Sequence, residues 1–266
     1  ASLLNLYDPD RAYRHTKGGA DVKVEAVRDH LAETGKRLAA NGGEGLVFLA
    51  ERSGSPSRNR LQEEVAKKFP KSKWFAYEAV DFSTDGQALS QLFGTEVQAS
   101  YQLDKAQRIL ALDCDFLGTE QEAYRLIRGY AKGRKPSKDT MNRLYAVESL
   151  MTITGGNADH RLRVRPTDVV RVAAQVGAAV LDILGETGEL ATVLKALSAG
   201  SPANTTWVEA CANDLVAQKG RSVVLAGYAQ PLAVHLIAHA LNHSLKAFGS
   251  VVSVIKSNEA KADGSI

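Results

Sequence analysis

The stretch Arg108–Gly118, RILALDCDFLG, constrains the fold of this chain more than any other. Ile109, Leu110, Ala111 and Leu112 form an apolar run that turns polar at Asp113-Cys114-Asp115. An apolar run without alternation marks a strand buried on both faces, as in a parallel sheet covered by helices on each side. Thr119, with Glu122 three residues on, reads as a capping box that opens a helix just beyond Gly118. Ala123, Leu126, Ile127 and Tyr130 give that helix an apolar stripe. Strand, polar turn and helix make half of a βαβ unit, and in open parallel sheets ligands lie beyond the carboxyl ends of such strands. The turn Asp113–Gly118 is therefore the first place to expect a site.

The rest of the chain extends the pattern. Tyr7-Asp8-Pro9-Asp10 reads as a turn, and Ala20–Ala40 as a helix with Val24, Val27 and Leu31 at helical spacing. Leu46–Ala50 reads as a buried strand that exits through Arg52–Ser57 into a helix capped by Asn59 and Gln62. Lys73–Tyr77 is a second strand, and Ala88–Phe93 a short helix closed by Gly94. Arg143–Val147 ends in Glu148-Ser149, and Asp159–Arg165 alternates as a short edge strand. A long helix opens at Pro166 or Thr167 with Val169, Ala173, Val176 and Val180 on one side. Arg221–Ala226 is again a buried strand, leaving through Gly227-Tyr228-Ala229-Gln230. Pro231 starts a helix to about Phe248, and Val251–Ile255 is the last strand.

This alternation predicts an α/β chain with a doubly wound, mostly parallel, Rossmann-like sheet or sheets flanked by helices. A helical insert near 185–220 breaks it: Glu189–Ala199 and Trp207–Ala217 are joined by Gly200-Ser201-Pro202. The expected division is an α/β lobe over 1–184, a helical connection over 185–220, and a strand-helix-strand over 221–266 that completes or starts the neighbouring lobe. Lys256–Ile266 reads as a frayed end.

Composition narrows the classes. A chain of 266 residues, 44% hydrophobic and 24% charged, can bury a substantial core. Its net charge of +3, from 33 basic and 30 acidic residues, is far from that of a dedicated nucleic-acid binder. No apolar run approaches the roughly 18 residues of a membrane span, and Ala1-Ser2-Leu3-Leu4 has neither the basic segment nor the apolar core of a secretory leader. Cys114 and Cys211 are single, which excludes a Cys-rich zinc or iron–sulfur motif within this chain and leaves open a disulfide or two thiols.

The strand-exit loops carry no G-x-G-x-x-G, no P-loop and no G-x-S-x-G. Arg52–Ser57 is either a polar connection or a set of amides and hydroxyls for an anion. His235, His239 and His243 recur every four residues, but on a Leu- and Ala-rich helix such histidines are better read as packed or hydrogen-bonded than as metal ligands. Asp113 with Asp115 could form an acid–base or metal pair. Two basic clusters, from Lys67 to Lys73 and from Arg128 through Arg134, Lys135 and Lys138 to Arg143, fall between helix ends and the next strands, the edge opposite the ligand crevice. No catalytic residue and no metal ligand stands out. The candidates for contact with any bound cofactor are Ser53, Asp113, Asp115, Ser149 and Gly227.

Several motifs taken together carry a resemblance. They are Tyr7-Asp8-Pro9-Asp10-Arg11, Lys73-Trp74 with Tyr77-Glu78, Asp104-Lys105-Ala106, Ile109–Asp113 with Asp115–Gly118, and Met141–Tyr145 with Val147–Ser149. Thr154-Gly155, Ala158–Arg161, Ala226-Gly227, Gln230-Pro231 and Val234-His235 with Ala238–Asn242 continue them. This set resembles a branch of the molybdopterin oxidoreductase superfamily, the molybdopterin-oxidoreductase-like region of the iron–sulfur subunit of alternative complex III. That complex is a quinol:cytochrome c oxidoreductase, and the subunit is also described as an iron–sulfur-cluster-containing hydrogenase component. The resemblance implies a lobe that has kept the fold without the molybdopterin guanine dinucleotide of its relatives. Iron–sulfur clusters are then expected in a separate part of the parent protein. It further implies partners among the other domains and subunits of a respiratory membrane complex, and a place on the outer, periplasmic face of the cytoplasmic membrane. Where cofactor-binding relatives carry a small-residue G-x-N turn, this chain has Asp113–Gly118, and where they carry an Asp-Pro-Arg turn it has Glu148-Ser149. The alternative is a lobe that still binds a molybdopterin guanine dinucleotide at those strand exits.

Overall fold

The computed structural model describes residues 3–136, 141–200 and 204–257 and the backbone of 264–265. It forms two compact units, one of residues up to Ala79 together with Gly264–Ser265, the other of Val80–Ser257.

The first unit opens with a hairpin in which β1 (His15–Lys17) pairs antiparallel with β2 (Ala20–Val22). Gly18 and Gly19 both have positive φ, +58° and +85°, the geometry a two-residue hairpin turn needs. That turn corrects the expectation of helix from Ala20, and α1 runs Val24–Ala40. β3 (Val47–Ala50), α2 (Pro56–Lys68) and β4 (Lys73–Glu78) form a βαβ unit with β3 and β4 parallel. Gly264–Ser265 pair parallel with the other edge of β4. α2 begins with Pro56 in its first turn, so Asn59 and Gln62 lie inside the helix rather than capping it. β3 is not the buried strand its composition suggests. Phe48 stacks on Trp74 at 4.6 Å, while Val47 and Leu49 are 55% and 73% exposed. An edge strand with one covered face alternates its side chains between packing and solvent, whatever their polarity.

The second unit contains, in order, α3 (Thr84–Phe93), β5 (Val97–Tyr101), β6 (Arg108–Leu112), α4 (Ala123–Gly133), β7 (Arg143–Glu148), α5 (Ile153–Gly156) and β8 (His160–Arg163). There follow α6 (Val169–Leu184), α7 (Glu189–Leu197), α8 (Thr205–Ala217), β9 (Ser222–Ala226), α9 (Leu232–Ser244) and β10 (Val252–Lys256). Four strands form a wholly parallel sheet in the order β8-β7-β6-β9, bearing out the α/β expectation. Leu110 and Leu112 of β6, with Tyr145, Val147 and Val224 of its neighbours, pack against Val172, Val176, Leu215 and Leu241 of α6, α8 and α9. Ile109 and Ala111, with Leu144, Val223 and Leu225, face the other way, against Leu126 and Tyr130 of α4 and the segment Val251–Val252. Two covered faces are what the unalternating run in RILAL reports.

The helices of 185–220 do not separate two lobes. Ala191 and Leu194 of α7 and Cys211, Ala212 and Leu215 of α8 belong to the core on one face of this sheet, and β9 beyond them pairs with β6. Packing of α7 and α8 on α6 thus keeps the expected boundaries at 184 and 220 inside one unit. β10 pairs antiparallel with β5, so the last strand stands outside the parallel sheet. β5 had no signature, since Val97-Gln98-Ala99-Ser100-Tyr101 mixes polar and apolar residues. α9 ends at Ser244, short of Phe248, with Lys246 at a φ of +57°. Residues 258–263 and 266 of the expected frayed end, Lys138 of the second basic cluster, and Ser201 and Pro202 lie outside the described residues.

Urea unfolding tests this burial. Leu110→Ala is expected to cost about 2–5 kcal/mol and Leu49→Ala no more than about 0.5 kcal/mol. Equal losses would contradict the coverage assigned to the two strands.

Candidate functional site

The exits of β6, β7 and β9 lie level, because Leu112 stands opposite both Val147 and Ala226. Beyond them the chain turns through Asp113–Gly118, Ser149–Ile153 and Gly227–Gln230. These loops gather Asp113, Asp115, Ser149 and Gly227, four of the five expected residues. Ser53 lies in the first unit, where its Oγ accepts the Ser55 N–H at 3.2 Å.

Each acidic residue at this edge is held by protein groups. Asp113, at a φ of +49°, donates its N–H to Val147 O at 2.7 Å and accepts the Gln230 side-chain amide at 2.7 Å. Asp115 is buried, and its Oδ1 accepts Thr154 N–H at 3.0 Å and Thr154 Oγ1 at 2.8 Å. Its carbonyl oxygen accepts the N–H groups of Gly118, Thr119 and Glu120. That turn corrects the expected capping box, because α4 starts only at Ala123 and Glu122 precedes it at a φ of +58° without a side-chain cap. Glu148 is buried and accepts Thr152 Oγ1 at 2.6 Å and Arg161 Nε at 2.5 Å. The short α5 is capped by Thr152, whose Oγ1 accepts Gly155 N–H.

The glycines make room for these groups. A Cβ on Gly227 would stand 1.9 Å from Asp113 O, one on Gly118 2.1 Å from Asp115 Oδ2, and one on Gly155 1.7 Å from Glu148 Oε1. Small residues at strand exits ordinarily admit a phosphate-bearing ligand. Here they admit the protein's own carboxylates and backbone.

Three participants escaped the sequence reading. Glu120 accepts the Tyr228 N–H at 3.2 and 3.3 Å. Burial pushes its carboxyl up to about 7, against the pull of Tyr228 N–H and His235 and with help from Asp115 and Asp85. Asp85, at the start of α3, accepts from His235 Nδ1 at 3.2 Å and His239 Nε2 at 2.8 Å. Burial would raise its carboxyl, but these two bonds outweigh it and hold Asp85 well below the carboxylate range. Gln230 completes the set. The histidine pair is thus hydrogen-bonded, and His243, the third member of the expected array, is exposed. Cys114 and Cys211 are buried free thiols, both pushed up by burial and so poor nucleophiles and poor ligands. Among the described residues no group of three or more His, Cys, Asp or Glu side chains is disposed to hold a metal ion.

A molybdopterin guanine dinucleotide does not fit this set of groups. Among the described residues, Asp113, Asp115 and Glu148 at these exits have Arg161 as their one ion-pair partner, which disfavours a pyrophosphate there. The amides of Leu117, Gly118, Thr119, Glu120, Thr154, Gly155, Gly227 and Tyr228 are already donated within the protein. Three buried atoms at this edge lack a partner: Gln230 Oε1, His235 Nε2 and His239 Nδ1. Gln230 Oε1, whose amide nitrogen donates to Asp113, is an acceptor, the wrong polarity for a phosphate.

No family model matches this sequence, and no curated protein sequence matches it. Solved structures do resemble it. Acetylene hydratase from Pelobacter acetylenicus superposes with a TM-score of 0.56 at 11% identity, over 92% of this chain and 36% of that one. A chain of the formyltransferase/hydrolase complex from Methylorubrum extorquens does so with a TM-score of 0.50 at 16% identity, over 89% of this chain and 59% of that one. At these identities the likeness is one of fold, and this chain spans less than two thirds of either protein's length.

The raised Glu120 carboxyl has a measurable sign. The folded chain holds this proton up to about pH 7, whereas the unfolded chain releases it near 4.5. Stability therefore falls as pH rises through that window, by up to about 3 kcal/mol. Glu120→Gln is expected to flatten the urea-midpoint profile between pH 5 and 8 and to exceed the parent at pH 8. Parallel profiles would refute the assignment.

Proposed function

We propose that this chain is a non-catalytic structural lobe of a membrane-associated respiratory electron-transfer subunit, built on a molybdopterin-oxidoreductase-like fold that has given up its cofactor. The observation that carries this reading is the internally paired acidic network at the strand exits, which stands where a dinucleotide would have to lie. The likeness to acetylene hydratase supports the fold on which this reading rests. The assignment to the alternative complex III branch, with its outer-face location, rests on the sequence motifs.

Beside the same exits Leu150, Met151 and Ile153 are 76%, 73% and 59% exposed. Consecutive apolar side chains of this kind suit contact with other domains or subunits better than open solvent. Among the described residues no helix is long and apolar enough to cross a membrane. Iron–sulfur clusters, in this reading, belong to another part of the parent protein.

The test is to purify the chain from cells competent in molybdenum-cofactor synthesis, denature it, and assay released pterin, guanine nucleotide, molybdenum and tungsten together. The expected result is a folded, monodisperse chain with none of them at stoichiometric level. Stoichiometric pterin and guanine nucleotide would overturn the proposal and make Asp113, Asp115, Ser149 and Gly227 contacts of a bound cofactor.

A further inference from the structure

β8 is an edge strand. It pairs with β7 along one side, and among the described residues no strand lies along the other. Val164 and Arg165 prolong it, Val164 donating its N–H to Glu148 O at 3.1 Å and Arg165 keeping an extended backbone. Leu162 and Val164 pack on the core that α6 covers, and the His160 ring stacks on Tyr145 at 4.7 Å. Strand side chains alternate between faces, so Arg161, Arg163 and Arg165 stand on the other face, about 7 Å from one to the next. Arg161 is paired with Glu148, and Arg165 shares Asp168 with Arg171, at 3.9 Å against 2.7 Å. Arg163 is exposed and has no carboxylate partner among the described residues. Four guanidiniums along this edge thus meet two carboxylates.

Apolar side chains continue the row. Arg163 stands opposite Glu148, and Leu150 and Met151 follow just past that level. Glu148 accepts from both Arg161 and Thr152, which sets α5, with Ile153, on the arginine face. All three apolar side chains are more than half exposed. A charged edge can serve only to keep other strands away, but that leaves this apolar patch unexplained. A second copy of the chain does not suit it. Antiparallel edge-to-edge pairing with like faces aligned would set arginine against arginine.

We propose that the free side of β8 takes up an extended acidic segment of another polypeptide, paired antiparallel. Carboxylates at alternate positions lie against Arg163 and Arg165, and apolar residues preceding them cover Leu150, Met151 and Ile153. Backbone pairing along the edge supplies affinity, and the alternating charges fix face and register. The proposal rests on the contact role given above to the apolar patch, and its titration is independent of the pterin assay, so the two readings can fail separately.

The test is an anisotropy titration of the intact chain against a fluorescein-labelled peptide, Val-Leu-Val-Glu-Val-Glu-Val-Glu, with amide hydrogen exchange on the complex. Saturable binding is expected, at least about fivefold weaker when lysine replaces glutamate in the peptide, together with slower exchange of the β8 amides. Arg163→Glu is expected to weaken binding about fivefold or more while leaving the melting temperature of the free chain unchanged. Met151→Asp is expected to give a similar loss from the apolar side and serves if the first variant is unstable. Absence of saturable binding, equal binding of the lysine peptide, unchanged exchange in β8, indifference to both substitutions, or displacement of the peptide by single-stranded DNA of equal charge would each overturn the proposal.

Discussion

Coverage of β6 on both faces and both edges is the constraint on which the second unit depends. β7 and β9 pair with it along its whole length, and the two apolar cores meet its alternate side chains. No polar side chain can be placed along such a strand without burying it unpaired, so polar chemistry is driven to its two ends. The register then sets those ends at one level with those of its neighbours. Asp113 N–H reaches Val147 O and Gly227 N–H reaches Leu112 O, which ties all three exits together. These bonds also hold Asp113 in a left-handed conformation that costs about 1 kcal/mol for a residue with a Cβ.

What fills the exits follows from electrostatics. The carboxyl edge of a parallel sheet is where helices begin, and their first amides favour negative charge. In a ligand-binding lobe that charge comes from a phosphate. Here Asp115 takes the Thr154 amide in the first turn of α5, and Glu120 takes the amide that follows Gly227. Gly118 and Gly155 lack side chains because carboxylates occupy the space. The same residue types that suggest a nucleotide site therefore describe a site closed from within.

The strands of the parallel sheet could be read from sequence because two-sided burial leaves an apolar run, and α6 because its valines and alanines repeat at helical spacing. The same logic misled at Leu46–Ala50. An apolar run reports composition, and only the neighbouring elements decide how many faces are covered. The β1–β2 hairpin was carried by Gly18-Gly19 alone, and β5 depends on β10, about 150 residues away, for its partner. At the site, strand ends pointed to Asp113, Asp115, Ser149 and Gly227, since position along a parallel strand is a local property. Their pairings are not local. Asp113 with Gln230, Glu120 with Tyr228 and Asp85 with two histidines each join residues more than 100 apart, brought together by topology rather than by spacing.

The two edges of the sheet thus carry opposite charge for one reason. Arg108 and Arg143 begin their strands and Arg221 immediately precedes β9, at the edge where helices end and partial negative charge favours cations. Asp113 and Asp115 follow β6 and Glu148 ends β7, at the edge where helices begin. Both placements stabilise the fold whether or not a ligand is present. They differ in how completely they are closed. At the acidic edge the carboxylates are matched by amides, hydroxyls and Arg161. At the basic edge Arg221 has no carboxylate partner, and the side-chain amides of Gln107 and Gln218 no hydrogen bond, among the described residues. The carboxyl edge is thus closed by its own side chains, while the amino edge keeps an uncompensated guanidinium among the described residues.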